Sequence, residues 1–128
     1  MRRLLLSACL LASPLAAQTV QILPGYSDFR LPATQVVDQP MTLMMNWLLS
    51  FPESAEGRPQ IDLLAKVEEG RLAIVFTDSG GGDDSVKAIQ RRMEFLQTED
   101  WRWRLVAYGF RQQCWRGESD DWTDRPCP

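Results

Sequence analysis

The sequence predicts an α+β domain, with one N-terminal helix packed on a four-stranded antiparallel sheet. Three observations predict it. Residues 41–50 carry apolar side chains at helical spacing and end at Phe51-Pro52. Residues 61–67 and 72–77 are two β-rich runs on either side of Glu68-Glu69-Gly70. Residues 88–115 alternate apolar and charged side chains on both sides of Gln97-Thr98-Glu99-Asp100, which reads as a second hairpin.

The chain begins outside that domain. Met1-Arg2-Arg3 is a charged start, Leu4 to Leu11 a short apolar run, and Ala12 to Ala17 a stretch of mostly small residues. This is the layout of a secretory signal peptide over residues 1–17, cut after Ala17. The apolar run is too short to span a bilayer, and no later run is long enough, so no membrane span is expected. Leu6-Ser7-Ala8-Cys9 also resembles a bacterial lipobox, in which Cys9 would carry a lipid anchor. Cys9 lies inside the apolar run, with Leu10 and Leu11 still to come, so the cleaved peptide is preferred.

Residues 18–128 then form one globular domain with a flexible leader, 18–39. Pro24-Gly25 and Leu31-Pro32 break the leader, and Ile22-Leu23 and Val36-Val37 are its compact apolar pairs. It is expected to lie extended on the domain surface. The helix follows, over Met41–Ser50, with Asp38 as N-cap and Pro40 in the first turn, where its missing N–H costs nothing. Met41, Met44, Met45, Leu48 and Leu49 share one face; Leu43 and Trp47 share the other. Glu53 to Gln60 reads as a polar loop.

Ile61–Val67 and Leu72–Thr77 are expected to pair and to sit centrally, because LAIVF in the second run is the most β-like stretch of the chain. The run from Val86 to Leu96 has two readings. Val86, Ile89, Met93 and Leu96 fall at helical spacing, with Asp84 or Ser85 as cap. Met93 and Phe95 also alternate with Arg92 and Glu94. The strand is preferred because the aromatic run Trp101–Phe110 needs a neighbour. In that run the apolar face switches between Leu105 and Val106. Either both faces are covered there or a bulge shifts the register, with Gly109 a natural place for irregularity.

Composition narrows the chemistry. Loss of Arg2 and Arg3 with the signal takes the net charge from −3 to −5, with 12 basic against 17 acidic residues. An acidic domain is a poor nucleic-acid binder, so no nucleic-acid partner is expected. The chain has no histidine, which excludes His-based triads and His metal sites. With Cys9 removed, Cys114 and Cys127 remain, and an even pair in an oxidising compartment reads as a disulfide. Met41, Met44 and Met45 could offer thioethers to Cu(I), but their spacing matches a core face, and no metal is expected. Asp78, Asp83 and Asp84 around Gly80-Gly81-Gly82 lack the spacing of a Ca²⁺ loop, and the acids would repel a phosphate. The stretch is read as a connector.

The exposed aromatics offer binding surfaces: Trp47 on the helix, and Trp101 and Trp103 between Arg102 and Arg104. Aromatic rings beside arginines could stack on a glycan or a base. The competing reading buries Trp101 and Trp103 on the core face of the sheet, with the arginines in solvent.

The stretch from Gly82 to Cys127 carries G-D-D-S-V, then W-R-L-V (Trp103–Val106), C-W-R-G (Cys114–Gly117) and W-x4-C ending at Cys127. This order resembles a set of small exported proteobacterial proteins of unknown function. The likeness covers the last third of the chain. It implies export and a Cys114–Cys127 pair, and no catalytic residue or cofactor. A helix followed by a curved antiparallel sheet is also similar in architecture to cystatin-like and nuclear-transport-factor-2-like (NTF2-like) folds, which host many functions.

The expected function is a non-catalytic periplasmic or secreted protein that binds another envelope protein or stabilises an assembly. The alternative is a module for a glycan or small apolar ligand, using a groove between Met44, Leu48 and the sheet. An enzyme would require two carboxylates converging in a cleft.

Overall fold

The computed structural model describes residues 19–31, 34–49, 60–80, 84–117 and 119–128, excluding the side chains of 46–49. The expected signal peptide with Cys9, the expected polar loop at 53–59, residues 81–83 of the expected connector, and the side chains of Trp47 and Leu48 lie outside the described residues.

In chain order the elements are β1 (Gln21–Ile22), β2 (Val36–Val37), α1 (Pro40–Leu49), β3 (Ile61–Glu68), β4 (Arg71–Asp78), β5 (Val86–Gln97) and β6 (Trp103–Cys114). They form one six-stranded sheet in the order β1-β6-β5-β4-β3, with β2 also on β6. β1 runs parallel to β6, so the sheet is mixed. The expected helix on a four-stranded antiparallel sheet is therefore corrected, and the cystatin-like and NTF2-like analogies go with it. Among the described residues this is a predominantly β fold with one short helix.

The correction has a physical cause. β6 would otherwise expose a free edge of backbone N–H and C=O groups. Three segments outside the two hairpins pair with that edge. Val36 and Val37 pair with Arg104 and Trp103, and Gln21 and Ile22 pair with Ala107 and Tyr108. Ser27 and Thr123 bridge Phe110 and Gln112. Pairs this short have no periodicity to read. The reversal between Ile22 and Ser27 is a type II turn, with Pro24 at its second position and Gly25 at φ 76° in its third.

Both hairpins form. β3 and β4 join through Glu69 (φ 49°) and Gly70 (φ 77°), which have the two positive φ values of a type I′ turn. Their register runs unbroken from Ile61↔Asp78 to Glu68↔Arg71. β3 is not central as expected. It ends the sheet, and all six of its inner residues are exposed. The stretch from Val86 is a strand throughout, which settles the helix alternative. The register between β5 and β6 shifts at Glu94/Phe95, where Val106 is the extra residue of a bulge. The bulge puts Leu105 on the core face before it and Tyr108 on the same face after it, which accounts for the switch seen in the sequence.

That face holds the core: Ile74 and Phe76 of β4, Met93 and Phe95 of β5, Leu105 and Tyr108 of β6, and Met44 of α1. Phe29, Leu31, Val37 and Trp103 pack against its rim. The expected methionine face is only partly right. Met44 is buried, but Met41 and Met45 are exposed.

Candidate functional site

The alternation that buries Met93 and Phe95 places Arg92 and Glu94 on the opposite face of the sheet. Strand register then sets Glu94 opposite Ala73, and Glu68 opposite Arg71. An ion-pair ladder results. Arg92 Nη2 donates to Glu68 at 2.5 Å and to Glu94 at 2.8 Å; Arg71 Nη1 donates to Glu94 at 3.3 Å, and Lys66 Nζ to Glu68 at 2.6 Å. Glu68, Arg71, Arg92 and Glu94 line an open groove of about 470 Å³ with Glu69 and Ala73.

Two carboxylates do converge here, but on a guanidinium. Hydrogen bonds from Lys66 and then Arg92 hold Glu68 below the usual carboxylate range. Burial alone would lower Arg92, yet its bonds to Glu94 and Glu68 raise it. A general acid needs the reverse, a carboxyl kept protonated by apolar surroundings. The ladder is chemically a charge-compensated brace.

Further along the same face, Arg111 is stacked between two rings, its guanidinium carbon 4.8 Å from the Tyr26 centroid and 5.1 Å from that of Trp122. Its Nε donates to Gln90 at 2.9 Å, and Gln90 donates to Thr77 at 3.1 Å. This stack fastens the leader and the tail to the sheet. The tail is also held by the disulfide. Cys114 and Cys127 are bonded, with Cα atoms 5.4 Å apart.

The tryptophans separate. Trp103 starts β6 and packs against the core rim, as the burial reading expected. Trp101 does not accompany it. It lies in the loop and is 79 % exposed. Trp101 N–H donates to Thr98 O at 3.1 Å and Thr98 N–H to Arg102 O at 2.8 Å, which makes a three-residue loop of Glu99, Asp100 and Trp101. The third residue of such a loop is left-handed, a place usually given to glycine. Trp101 occupies it at φ 64°. Arg102 Nε donates to Asp100 at 2.8 Å, and the Thr98 hydroxyl donates to the same carboxylate. Trp115, after the last strand, is also exposed, with Lys87 Nζ 5.7 Å from its ring centroid.

The groove expected between Met44 and the sheet is closed at Met44, which is 1 % exposed among Ile74, Phe76, Met93 and Phe95. The three methionine sulfurs do not share one environment, since Met44 alone is buried. Among the described residues no group of three or more Cys, Asp or Glu side chains is placed to hold a metal ion. Asp78 caps the connector, accepting from Gly80 N–H at 3.0 Å and from Gln60 N–H at 3.2 Å. No helix among the described residues is long and apolar enough to cross a membrane.

The ladder was legible as a charged face, but its pairing partners came only from strand register. The left-handed turn at Trp101 was missed, because the alternation of Trp101 with Trp103 continues into the loop. The sequence signal for it was the Thr98…Asp100-x-Arg102 spacing that braces the loop.

Compared with known protein families, curated proteins and solved structures, the chain matches none.

Proposed function

We propose that the chain is an exported, non-catalytic interaction module that grips another envelope protein through Trp101. The observation that carries this reading is the cost of that residue. A bulky side chain at positive φ is disfavoured by about 1 kcal/mol relative to glycine, and Trp101 at 79 % exposure recovers little of it by burial within its own chain. An aromatic held out on a braced loop is the side chain most often found as the anchor of a protein interface. The Cys114–Cys127 bond supports export, since such bonds persist in oxidising compartments. The paired state of Glu68 and Glu94 favours a structural over a catalytic role.

The test is cross-linking and capture of partners from envelope extract, with the oxidised protein beside Trp101→Ala and Trp101→Gly. Both variants are expected to melt at or above the wild-type temperature and to lose the partner. Undiminished capture by either one rejects Trp101 as the anchor. Melting well below wild type would mean the ring serves the fold.

A further inference from the structure

We propose that β3 is a self-association edge, and that two copies of this chain join antiparallel through β3 with Leu64 opposite Leu64. This surface is independent of Trp101. It lies on the far edge of the sheet, with β4 and β5 between it and β6.

The edge has the form that strand addition requires. β3 is regular over eight residues, with no bulge against β4 and no proline. Natural edge strands are usually short, bulged or guarded by proline and inward charges. Here Leu63, Leu64 and Val67 are 39, 52 and 71 % exposed.

The backbone fixes which registers can form. In a two-residue hairpin the pair flanking the turn, Glu68 and Arg71, exchanges both hydrogen bonds. Even-numbered residues of β3 therefore turn their backbone groups toward β4. Ser79 N–H donating to Gln60 O at 2.9 Å continues the same parity past the end of the strand. The odd-numbered residues Ile61, Leu63, Ala65 and Val67 turn theirs to the open side. A second strand must meet outward groups with outward groups, so odd residues face odd residues.

Side-chain chemistry then selects among the allowed registers. Centring on Ala65 sets Asp62 against Glu68, which repels. Centring on Leu63 sets Asp62 against Leu64 and leaves Val67 unmatched. Centring on Leu64 sets Asp62 of each copy against Lys66 of the other, twice by symmetry. It also sets Ile61 against Val67 and Leu63 against Ala65. The Leu64–Leu64 and Asp62–Lys66 pairs fall at non-hydrogen-bonded positions, where facing side chains are closest. Lys66 is 46 % exposed on its side chain and bonded to Glu68, so it can turn to a facing carboxylate. One patch meeting itself is the symmetry of a two-fold dimer, and strand addition to an open edge is an established recognition mode.

The test is analytical ultracentrifugation of the oxidised protein and four variants. Asp62→Lys and Lys66→Asp each bring two like-charged pairs together and should raise the dimer Kd at least about tenfold. The double variant Asp62→Lys/Lys66→Asp restores both pairs with their signs exchanged, and should return the Kd to near wild type. Ala65→Pro removes one outward N–H and should abolish the dimer. Melting curves taken at dilution confirm that each monomer folds. A wild-type protein that stays monomeric to millimolar concentration overturns the proposal. So does a dimer indifferent to these variants, or one that the charge exchange fails to restore.

Discussion

The phenol of Tyr108 donates to the carboxylate of Asp28 at 2.5 Å, joining the middle of β6 to a leader residue 80 positions earlier. The ring of Phe29 meets the same tyrosine edge-on, with centroids 5.1 Å apart. The hydrogen bond to Asp28, and then burial, raise Tyr108 above the ordinary tyrosine value. The folded protein thus holds this proton more tightly than the unfolded chain. The contribution is complete below the unfolded value of about 10 and is lost as pH rises through the folded one. Melting temperature should fall more steeply on the alkaline side in wild type than in Tyr108→Phe. Parallel alkaline limbs would remove Tyr108 from the account.

Glu68 carries the opposite sign. Lys66 and Arg92 depress it, so its contribution is present above the unfolded carboxylate value and lost as pH falls through the folded one. Glu68→Gln should flatten the acid limb of a melting-temperature profile. It should not abolish it, because Asp100 is also lowered, by Thr98 and then Arg102. An acid limb identical to wild type would show that the ladder is too well solvated to matter.

Gly109 is required by a close approach. A Cβ built there would lie 2.3 Å from the Cβ of Tyr26, closer than real contacts allow. The leader is paired with β6 on either side of this point, at Tyr108 and at Phe110, so the Tyr26 Cβ cannot retreat without shifting those pairs. Gly109→Ala should cost about 1–3 kcal/mol in urea unfolding. An unchanged urea midpoint would mean the approach is loose.

The disulfide closes a short loop of 13 positions. Its removal by Cys114→Ser with Cys127→Ser should cost about 3 kcal/mol in the chain-entropy account, and reductant should lower the wild type to the same midpoint. The Arg111–Trp122 stack depends on the same tail, so Trp122 fluorescence should change together with the unfolding shift. A reduced protein with the oxidised midpoint would place the tail outside the cooperative unit.

Much of the sheet was legible because its signals are local. Glu69-Gly70 marks a hairpin turn, and Met93 and Phe95 against Arg92 and Glu94 mark two unlike faces. Even the Val106 bulge left a trace, as a break in alternation. The overall architecture was not legible. Ile22 and Val36-Val37 are two-residue contacts with a strand 66 or more positions away, and no window of sequence contains both partners. β3 is expected at the centre because its hairpin partner β4 carries LAIVF, the most β-like run of the chain; its place at the end of the sheet follows from strand order, which composition does not encode. Trp101 alternates in phase with Trp103, and a pattern of two has no marker for where the strand stops.

The pairing of β1 and β2 with β6 also imposes a timetable. A ribosome delivers Gln21 long before Ala107, so the leader waits without its partner until β6 is made. β3 and β4 need only each other and a two-residue turn, and can close early. The last hairpin is then the event that gives the leader a place to dock, and the bond from Cys114 to Cys127 fastens the segment that follows it. A chain stopped anywhere before Phe110 therefore loses its beginning as well as its end.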